Sequence, residues 1–325
     1  PAAGLPRPGG VSTTSLPPSS PSSPAAGAVT PAAPAWRVWT GLWIVYLVWG
    51  STYLAIRVMV ETMPPLLGAG ARFTLAGAVM IAVLGLRRPV RLTRSQLLSA
   101  LLVGTLLMGA NAVLTVAEQE VPSAVAALLI ASVPLWVIVM RRLAGDPLPR
   151  ASVAVLVGFA GVALLVKPGE QSAEATLLGL GACVFAAVMW AGGSFASPRV
   201  RLPGDLLVST GWQMLLGGLV CLAAGLAVGE VPEVDPGAFS TRSIVALAYL
   251  VVFGSWLAFT AYAWLLQNAP ISKVSTYAYV NPVVAIVLGW LILDEVITPI
   301  TLVGAAIIVA SVFLVVRIEA SRRPS

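Results

Sequence analysis

The chain has 325 residues, of which 58% are apolar and only 10% are charged, and its mean hydropathy is +0.93. Soluble domains carry about 25% charged residues, so this composition excludes a soluble protein. The chain has no histidine and only two cysteines, which excludes histidine-based catalysis, His/Cys zinc sites and haem ligation. We therefore expect no metal and no other cofactor. The net charge of +6 suits loops that face an anionic lipid bilayer, and no nucleic-acid partner is expected.

The chain begins with a tail and continues with a series of apolar runs. Residues 1–35 consist almost entirely of Pro, Ala, Ser, Thr and Gly, a composition typical of disorder. Each following run is near the length that crosses about 30 Å of hydrocarbon as a helix. Pro270 marks the expected end of the longest run. The sequence thus predicts an all-α, polytopic membrane protein with ten transmembrane helices, over residues 38–56, 62–86, 95–117, 121–140, 151–166, 175–198, 206–229, 243–272, 274–293 and 296–316.

Positive charges collect on one side of the predicted helices. That side carries fifteen of the nineteen Lys and Arg residues, namely Arg7, Arg37, Arg87, Arg88, Arg91, Arg94, Arg141, Arg142, Arg150, Arg199, Arg201, Lys273, Arg317, Arg322 and Arg323. The other side has only Lys167 and Arg242. Cytoplasmic loops carry the excess of Lys and Arg, so both tails, 1–35 and 318–325, are predicted to be cytoplasmic in the plasma (inner) membrane.

The two halves of the chain repeat one another. Pro134 in the fourth helix aligns with Pro282 in the ninth, and Trp49 in the first aligns with Trp190 in the sixth. Because five helices is an odd number, the second half inserts upside down relative to the first. Inverted repeats are typical of secondary transporters with a binding site between the halves. The predicted repeats are 36–167, with helices 1 to 5, and 175–317, with helices 6 to 10.

Two stretches resemble a known family. The string from Trp49 to Arg57, WGSTYLAIR, is similar to the start of bacterial EamA-type members of the drug/metabolite transporter superfamily. The stretch from Ser275 onward, with Pro282, Gly289, Glu295, Thr298 and Gly304 in order, resembles the second repeat of that family. This resemblance covers about residues 40–317. It implies ten helices in two five-helix repeats and the movement of small metabolites, commonly outward.

Aromatic residues mark candidate cavity walls. In helix 1, Trp39, Trp43, Tyr46, Gly50, Tyr53 and Arg57 follow at helical spacing and share one face. Trp39 and Trp43 lie near the surface and suit an interfacial aromatic belt. Tyr53 lies deeper, where it fits either helix packing or a cavity wall. Trp49, Tyr53 and the repeat-related Trp190 are therefore candidate substrate-binding residues.

Polar side chains inside the hydrocarbon are further candidates, because each is unfavourable there unless partnered. Arg72 in helix 2 either forms a structural ion pair with Glu61 or Glu118, or contacts an anionic group of the substrate. Asn111 and Asn281 either join helices or hydrogen-bond to substrate. Arg57 lies four residues before Glu61, so an i,i+4 ion pair at the helix end is expected.

The paired prolines predict interrupted backbone in both halves. A proline within a span frees the carbonyl four residues earlier and kinks the helix. Pro134 and Pro282 are therefore candidate kink or gating residues, and irregular backbone in corresponding positions points to a binding site. Tyr279 and Asn281 lie beside the second proline, which makes them candidate substrate-binding residues.

Together these features favour a secondary transporter that moves a small metabolite or drug-like molecule outward across the plasma membrane by alternating access. An uptake facilitator or a channel-like permease without ion coupling is the alternative. No nucleophile–base or metal constellation indicates an enzyme. No acidic residue lies deep in a predicted span, so a coupling proton would bind at a helix end, at Glu118 or Glu295, or be absent. Small residues in helices 5 and 10 fit a monomer as well as a homodimer.

Overall fold

The computed structural model describes residues 1–2, 4, 34–145, 152–165 and 175–320. The chain separates into two units, Pro1–Ala32 and Ala33–Ser325. Of the predicted tail 1–35, only residues 1, 2, 4, 34 and 35 are described, so the prediction of disorder lies outside the described residues. Of the predicted cytoplasmic tail 318–325, residues 318–320 belong to the last helix, and the rest lies outside the described residues. The account below concerns the second unit.

The described part of the second unit contains ten long helices and no strand. They are α1 (Ala35–Met59), α2 (Pro65–Gly85), α3 (Arg94–Ala117), α4 (Ser123–Leu143), α5 (Ser152–Leu165), α6 (Leu177–Ala196), α7 (Leu206–Val228), α8 (Thr241–Asn268), α9 (Tyr277–Leu293) and α10 (Pro299–Ala320). Eight of them are long and apolar enough to cross a membrane, whereas α5 and α9 are shorter apolar helices. The prediction of an all-α polytopic membrane protein is confirmed.

Local sequence signals set where the helices begin and end. α2 begins at Pro65, because proline has no N–H to lose in the first turn of a helix. Thr93 and Gln96 form a capping box at the start of α3, with the amide of Gln96 donating to Thr93 Oγ1 over 3.3 Å. α7 ends at Gly229, whose φ of 88° is a conformation that glycine adopts readily. α8 ends just before Pro270, as predicted.

The two paired prolines act differently on their helices. α4 is divided into Ser123–Ile130 and Val133–Leu143, with Pro134 in the first turn of the second segment. At the break, Ser132 Oγ donates to the carbonyl of Leu129 over 2.5 Å. α9 instead continues through Pro282 from Tyr277 to Leu293. The predicted interruption is therefore present in α4, while in α9 the proline is accommodated inside a helix. A π-helical stretch, Leu250–Leu257, interrupts α8.

The helix pairs in contact follow a symmetric scheme. Exchanging α1–α5 with α6–α10 maps the contact α1–α8 onto α3–α6, α1–α9 onto α4–α6, and α2–α8 onto α3–α7; the contacts α2–α7 and α5–α10 map onto themselves. Such a scheme is what two equivalent five-helix units would produce. The repeat boundaries, 36–167 and 175–317, stay a prediction.

Glycines allow α7 to approach α2 and α3 at backbone distance. A Cβ atom added to Gly77 in α2 would lie 2.3 Å from the backbone nitrogen of Leu215 in α7. One added to Gly217 in α7 would lie 2.4 Å from the carbonyl oxygen of Gly104 in α3. Small residues at helix interfaces are the usual means of close packing in membranes. This packing joins α7 firmly to α2 and α3, beside the site described next.

Candidate substrate site

A cavity of about 100 Å³, here called the central cavity, lies between seven helices. Its lining comes from α1, α2, α3, α4, α6, α8 and α9. Eight of the nine site residues predicted from the sequence are among the lining residues: Trp49, Tyr53, Arg72, Asn111, Pro134, Trp190, Asn281 and Pro282. Side chains from distant parts of the chain therefore meet around one space, as a binding site between the halves requires.

The structure does not bring Tyr279 together with these residues. Its ring packs against Phe313 of α10, with the ring centres 5.7 Å apart. Tyr277 lines the central cavity instead, together with Asn281. The reason is helical geometry: residues four apart share a face of α9, whereas a residue two positions on points away from it.

Aromatic rings form one wall of the central cavity. Trp49 is the centre of this wall, and its indole contacts the rings of Phe259, Tyr262 and Tyr277 at 5.0, 5.1 and 5.2 Å between centres. Its Nε1 donates to the carbonyl of Gly254 over 3.3 Å. Edge-to-face and tilted aromatic contacts of this kind stabilise a defined arrangement of the wall.

Arg72 brings a positive charge to the same cavity. Its side chain is 4% exposed, and Nε donates to Ser255 Oγ in α8 over 3.0 Å. The guanidinium lies over the ring of Phe73, 4.5 Å from its centre. Among the described residues, no carboxylate lies within 4 Å of Arg72, and Glu61 instead approaches Arg242 at 3.7 Å. The expected ion pair of Arg72 with Glu61 or Glu118 is therefore not formed.

The amide groups of the central cavity differ in their hydrogen bonding. Asn111 Nδ2 donates to the carbonyl of Leu107 over 3.4 Å, which is a bond within α3. The Oδ1 atom of Asn281 is buried and has no hydrogen-bond partner among the described residues. A buried acceptor without a partner is unfavourable. Asn281 lines the cavity, so a rotation of its side chain would let a bound molecule satisfy this acceptor.

A second, larger cavity of about 540 Å³ adjoins the first, and we call it the vestibule. It lies beside the end of α6 and the beginning of α7, with Ser194, Pro198, Leu206 and Gln213 among its lining residues. Four residues line both cavities: Trp49, Trp190, Phe259 and Tyr277. The aromatic wall therefore separates the vestibule from the central cavity.

Acidic side chains join helices at the opposite end of the bundle, and we call it the carboxylate end. Glu230 accepts hydrogen bonds from the amides of Leu66 and Leu67, at 3.0 and 2.8 Å, where α2 begins. Glu295 accepts hydrogen bonds from the amides of Ser123 and Ala124, at 2.7 and 3.1 Å, where α4 begins. Each carboxylate binds the unpaired N–H groups at a helix start, where the helix dipole favours negative charge.

Glu118 also lies at the carboxylate end, and its surroundings are unusual. It is fully buried, and neither carboxyl oxygen has a hydrogen-bond partner among the described residues. Its backbone carbonyl accepts a hydrogen bond from Nη1 of Arg57. The sequence placed Glu118 at a helix end, where exposure to water is ordinary. The sequence shows only that Glu118 directly follows the apolar run of α3. That position does not distinguish a buried carboxyl group from an exposed one.

Comparison with known proteins identifies similar sequences. The model of the EamA-like transporter family matches residues 39–167 and 177–317. The uncharacterized inner membrane transporter YedA of Escherichia coli K12 is 37% identical over 280 residues, which are 84% of this chain and 89% of YedA. Protein PecM of Dickeya dadantii is 29% identical over 273 residues, which are 82% of this chain and 88% of PecM.

A similar chain has also been solved by crystallography. It is 24% identical in sequence, with a TM-score of 0.58, and the match covers 90% of this chain and 99% of the other. At that identity the likeness shows the fold alone. It indicates that the ten-helix arrangement described above occurs in a second protein.

Proposed function

The chain belongs to the EamA-like transporter family and is a multi-pass membrane transporter of small molecules. From this premise we propose that it exports a small metabolite by alternating access. In this mechanism the central cavity holds the substrate, and the two ends of the bundle open in turn. The alternative function is that of an uptake facilitator or a channel-like permease without ion coupling.

The observation that carries the proposal is the arrangement of two cavities in series with one closed end. The vestibule reaches the aromatic wall, the central cavity lies behind it, and the carboxylate end closes the far side. A channel would need a continuous path. A carrier needs an enclosed site with access from one side at a time, and this arrangement fits the carrier.

The direction of access follows from the proposed orientation. With both termini cytoplasmic, the arginine-rich ends of the helices face the cytoplasm. The vestibule borders Ser197–Arg199 and the start of α7, which belong to that side. The vestibule then opens to the cytoplasm, where a substrate for export is loaded. The carboxylate end then faces the periplasm and has to open for release.

Each lining residue has a proposed part in binding. Trp49, Tyr53 and Trp190 provide apolar contact area, and Arg72, Asn111 and Asn281 provide polar contacts. Tyr277 takes the place that the sequence assigned to Tyr279. Pro134, at the break in α4, lies where this helix can change its bend as the ends open and close.

A metabolite screen followed by a transport assay tests the proposal. Metabolites released by overproducing cells, compared with cells that lack the protein, give candidate substrates. Each candidate is then measured in proteoliposomes that contain the purified full chain. Saturable uptake that is accelerated by unlabelled substrate inside the vesicles (counterflow) is expected of a carrier. Flux that neither saturates nor shows counterflow contradicts the carrier and supports the channel-like alternative.

A further inference from the structure

Arg72 lines the central cavity, and its two terminal nitrogens have no hydrogen-bond partner among the described residues. Nε is bonded to Ser255 Oγ, while no hydrogen bond from Nη1 or Nη2 to any described residue is formed. Both nitrogens also retain contact with open space, since neither is among the fully enclosed polar atoms that lack a partner. Two parallel N–H donors on a planar group match the two oxygens of a carboxylate. The free edge of Arg72 is thus a ready binding surface for such a group.

Within the described ranges, no carboxylate lies close enough to Arg72 to bind its terminal nitrogens. Ser255 and Phe73 hold the guanidinium in place from two sides but carry no negative charge. Glu118 lies farther than 4 Å away, and its oxygens form no hydrogen bond with Arg72. A cation that is 4% exposed and lacks a close counter-ion is unfavourable in an apolar surrounding. An anionic ligand would supply the missing charge.

The rest of the cavity indicates what the anion is attached to. Trp49, Tyr53, Phe259 and Tyr277 present ring surfaces, which suit an aromatic or branched apolar body. On α9, Asn281 lines the cavity while its Oδ1 atom is enclosed and unpartnered, and a rotation of this side chain would let Oδ1 accept one hydrogen bond from a hydroxyl or amino group on the ligand. A highly charged phosphate ester would leave most of its charge against these rings.

From these contacts we infer that the substrate is a small organic carboxylate with an apolar body, whose carboxylate binds the two terminal nitrogens of Arg72 and whose hydrogen-bond donor binds Asn281. This inference rests on the proposed function, because it names the class of molecule that the same cavity carries. A carboxylate is placed by the fork of Arg72, and the body fills the space before the aromatic wall.

Binding to the purified full chain in detergent tests the inference with matched probes. Phenylacetate carries the carboxylate, phenylacetamide is its neutral isostere, and 2-phenylethylamine carries the opposite charge. By calorimetric titration, wild type should bind phenylacetate about ten- to a hundredfold more tightly than either other probe, as a charge-assisted bond predicts. Mandelate, which adds a hydroxyl next to the carboxylate, should bind more tightly than phenylacetate.

Variants separate recognition by Arg72 from a merely structural role. In Arg72→Gln the preference for phenylacetate over phenylacetamide should vanish, and in Arg72→Lys part of it should return because the charge is restored without the fork. Arg242→Gln, a change at the exposed arginine beside Glu61, is the matched control and should keep the wild-type preference. In Asn281→Leu, mandelate should lose its advantage over phenylacetate.

Equal affinity of wild type for phenylacetate and phenylacetamide overturns the inference, as does the absence of phenylacetate binding. The wild-type comparison needs no variant, so a variant that fails to fold leaves the test intact. Failure of the proposed function looks different: the carboxylate preference would be present while no substrate shows counterflow. Counterflow of a substrate that has no carboxylate would support the proposed carrier function and contradict the inference that the substrate is a carboxylate.

Discussion

The two ends of the helix bundle are held together by different kinds of contact. At the carboxylate end, Glu230 and Glu295 each accept two amide hydrogen bonds from the start of another helix. Ser243 Oγ adds a buried bond to the carbonyl of Val58, which joins α8 to α1. At the vestibule end, hydrogen bonds between distant parts of the chain are fewer among the described residues: Tyr46 with Thr276 and Trp212 with the carbonyl of Val90 are partly buried, and Arg88 with Asp205 is exposed.

This difference suggests how one end of the bundle could be held closed by contacts that can still be broken. Charge-assisted bonds to helix starts are strong where water is excluded, but water can replace them once the end opens. Each of these carboxylates comes from the end of one helix and binds the start of another, so opening breaks a few defined bonds rather than an apolar core. In the proposed mechanism, the contacts at the carboxylate end would therefore decide which state is populated.

The largest effect is expected when Glu295 is replaced. Glu295→Ala leaves the amides of Ser123 and Ala124 without their acceptor, so the free energy of unfolding should fall by about 1 to 3 kcal/mol. Chemical unfolding of the purified protein measures this change. Glu233→Ala, at an exposed position of the same end, is the control and should change the stability by less than about 0.5 kcal/mol. Equal losses in the two variants would show that the carboxylate does not hold this end.

A smaller effect is expected at Ser243, which is fully buried. Ser243→Ala removes the bond to the carbonyl of Val58 and should lower the free energy of unfolding by about 0.5 to 1.5 kcal/mol. Ser95→Ala, at an exposed site in the first turn of α3, is the matched control. If both changes are neutral, the contact between α8 and α1 contributes nothing to closure.

At the vestibule end, Asp205 gives a pH-dependent contribution. Partial burial would raise the pKa of its carboxyl, but the amide of Val208, the Arg88 guanidinium and the amide of Leu207 outweigh it and hold the pKa below its usual value. Because the folded-state pKa is the lower one, this stabilisation is present above the unfolded pKa of about 3.9 and is lost as the pH falls through the folded value.

The variant Asp205→Asn isolates that charge, since asparagine caps a helix about as well as aspartate. Its stability loss at pH 7 should stay below about 1 kcal/mol, because the pair with Arg88 is exposed to solvent. The difference from wild type should shrink as the pH is lowered towards 3. A difference that grows on acidification would contradict the assignment.

A similarly small loss of stability is expected at Glu118. An ionised carboxylate without hydrogen-bond partners is very unfavourable when buried, so the neutral form is expected in this closed state. Glutamine has the shape of a protonated glutamate, and Glu118→Gln should therefore change the free energy of unfolding by less than about 1 kcal/mol. A loss as large as that of Glu295→Ala would mean that Glu118 is ionised and bound by its neighbours.

Much of the fold could be predicted because charge-free runs of about 20 residues have few alternatives to a membrane helix. Two site residues could also be predicted from local sequence features. Trp49 has a counterpart, Trp190, in the second half of the chain, and Asn281 lies beside the mid-helix proline Pro282. Whether Tyr277 or Tyr279 lines the cavity depends on how α9 is rotated about its axis. The sequence does not specify this rotation, because α9 has apolar residues on every side.

Other features depend on contacts across the chain that a single sequence does not display. α4 breaks next to Pro134 whereas α9 continues through Pro282, so the presence of a proline alone does not determine whether a helix is interrupted. The capping of α4 by Glu295 joins residues 172 positions apart. Such partners become evident only when the helices are packed.

The central claim is that the vestibule opens to the cytoplasm while the carboxylate end is closed to the periplasm. It is tested most directly by labelling single cysteines at Thr210, in the vestibule, and at the fully buried Ser123, in a background without Cys183 and Cys221. A membrane-impermeant maleimide is added to inside-out and to right-side-out vesicles. The account predicts that Thr210→Cys reacts only in inside-out vesicles and that Ser123→Cys reacts slowly in both. Reaction of Thr210→Cys in right-side-out vesicles alone, or faster reaction of Ser123→Cys, would contradict it.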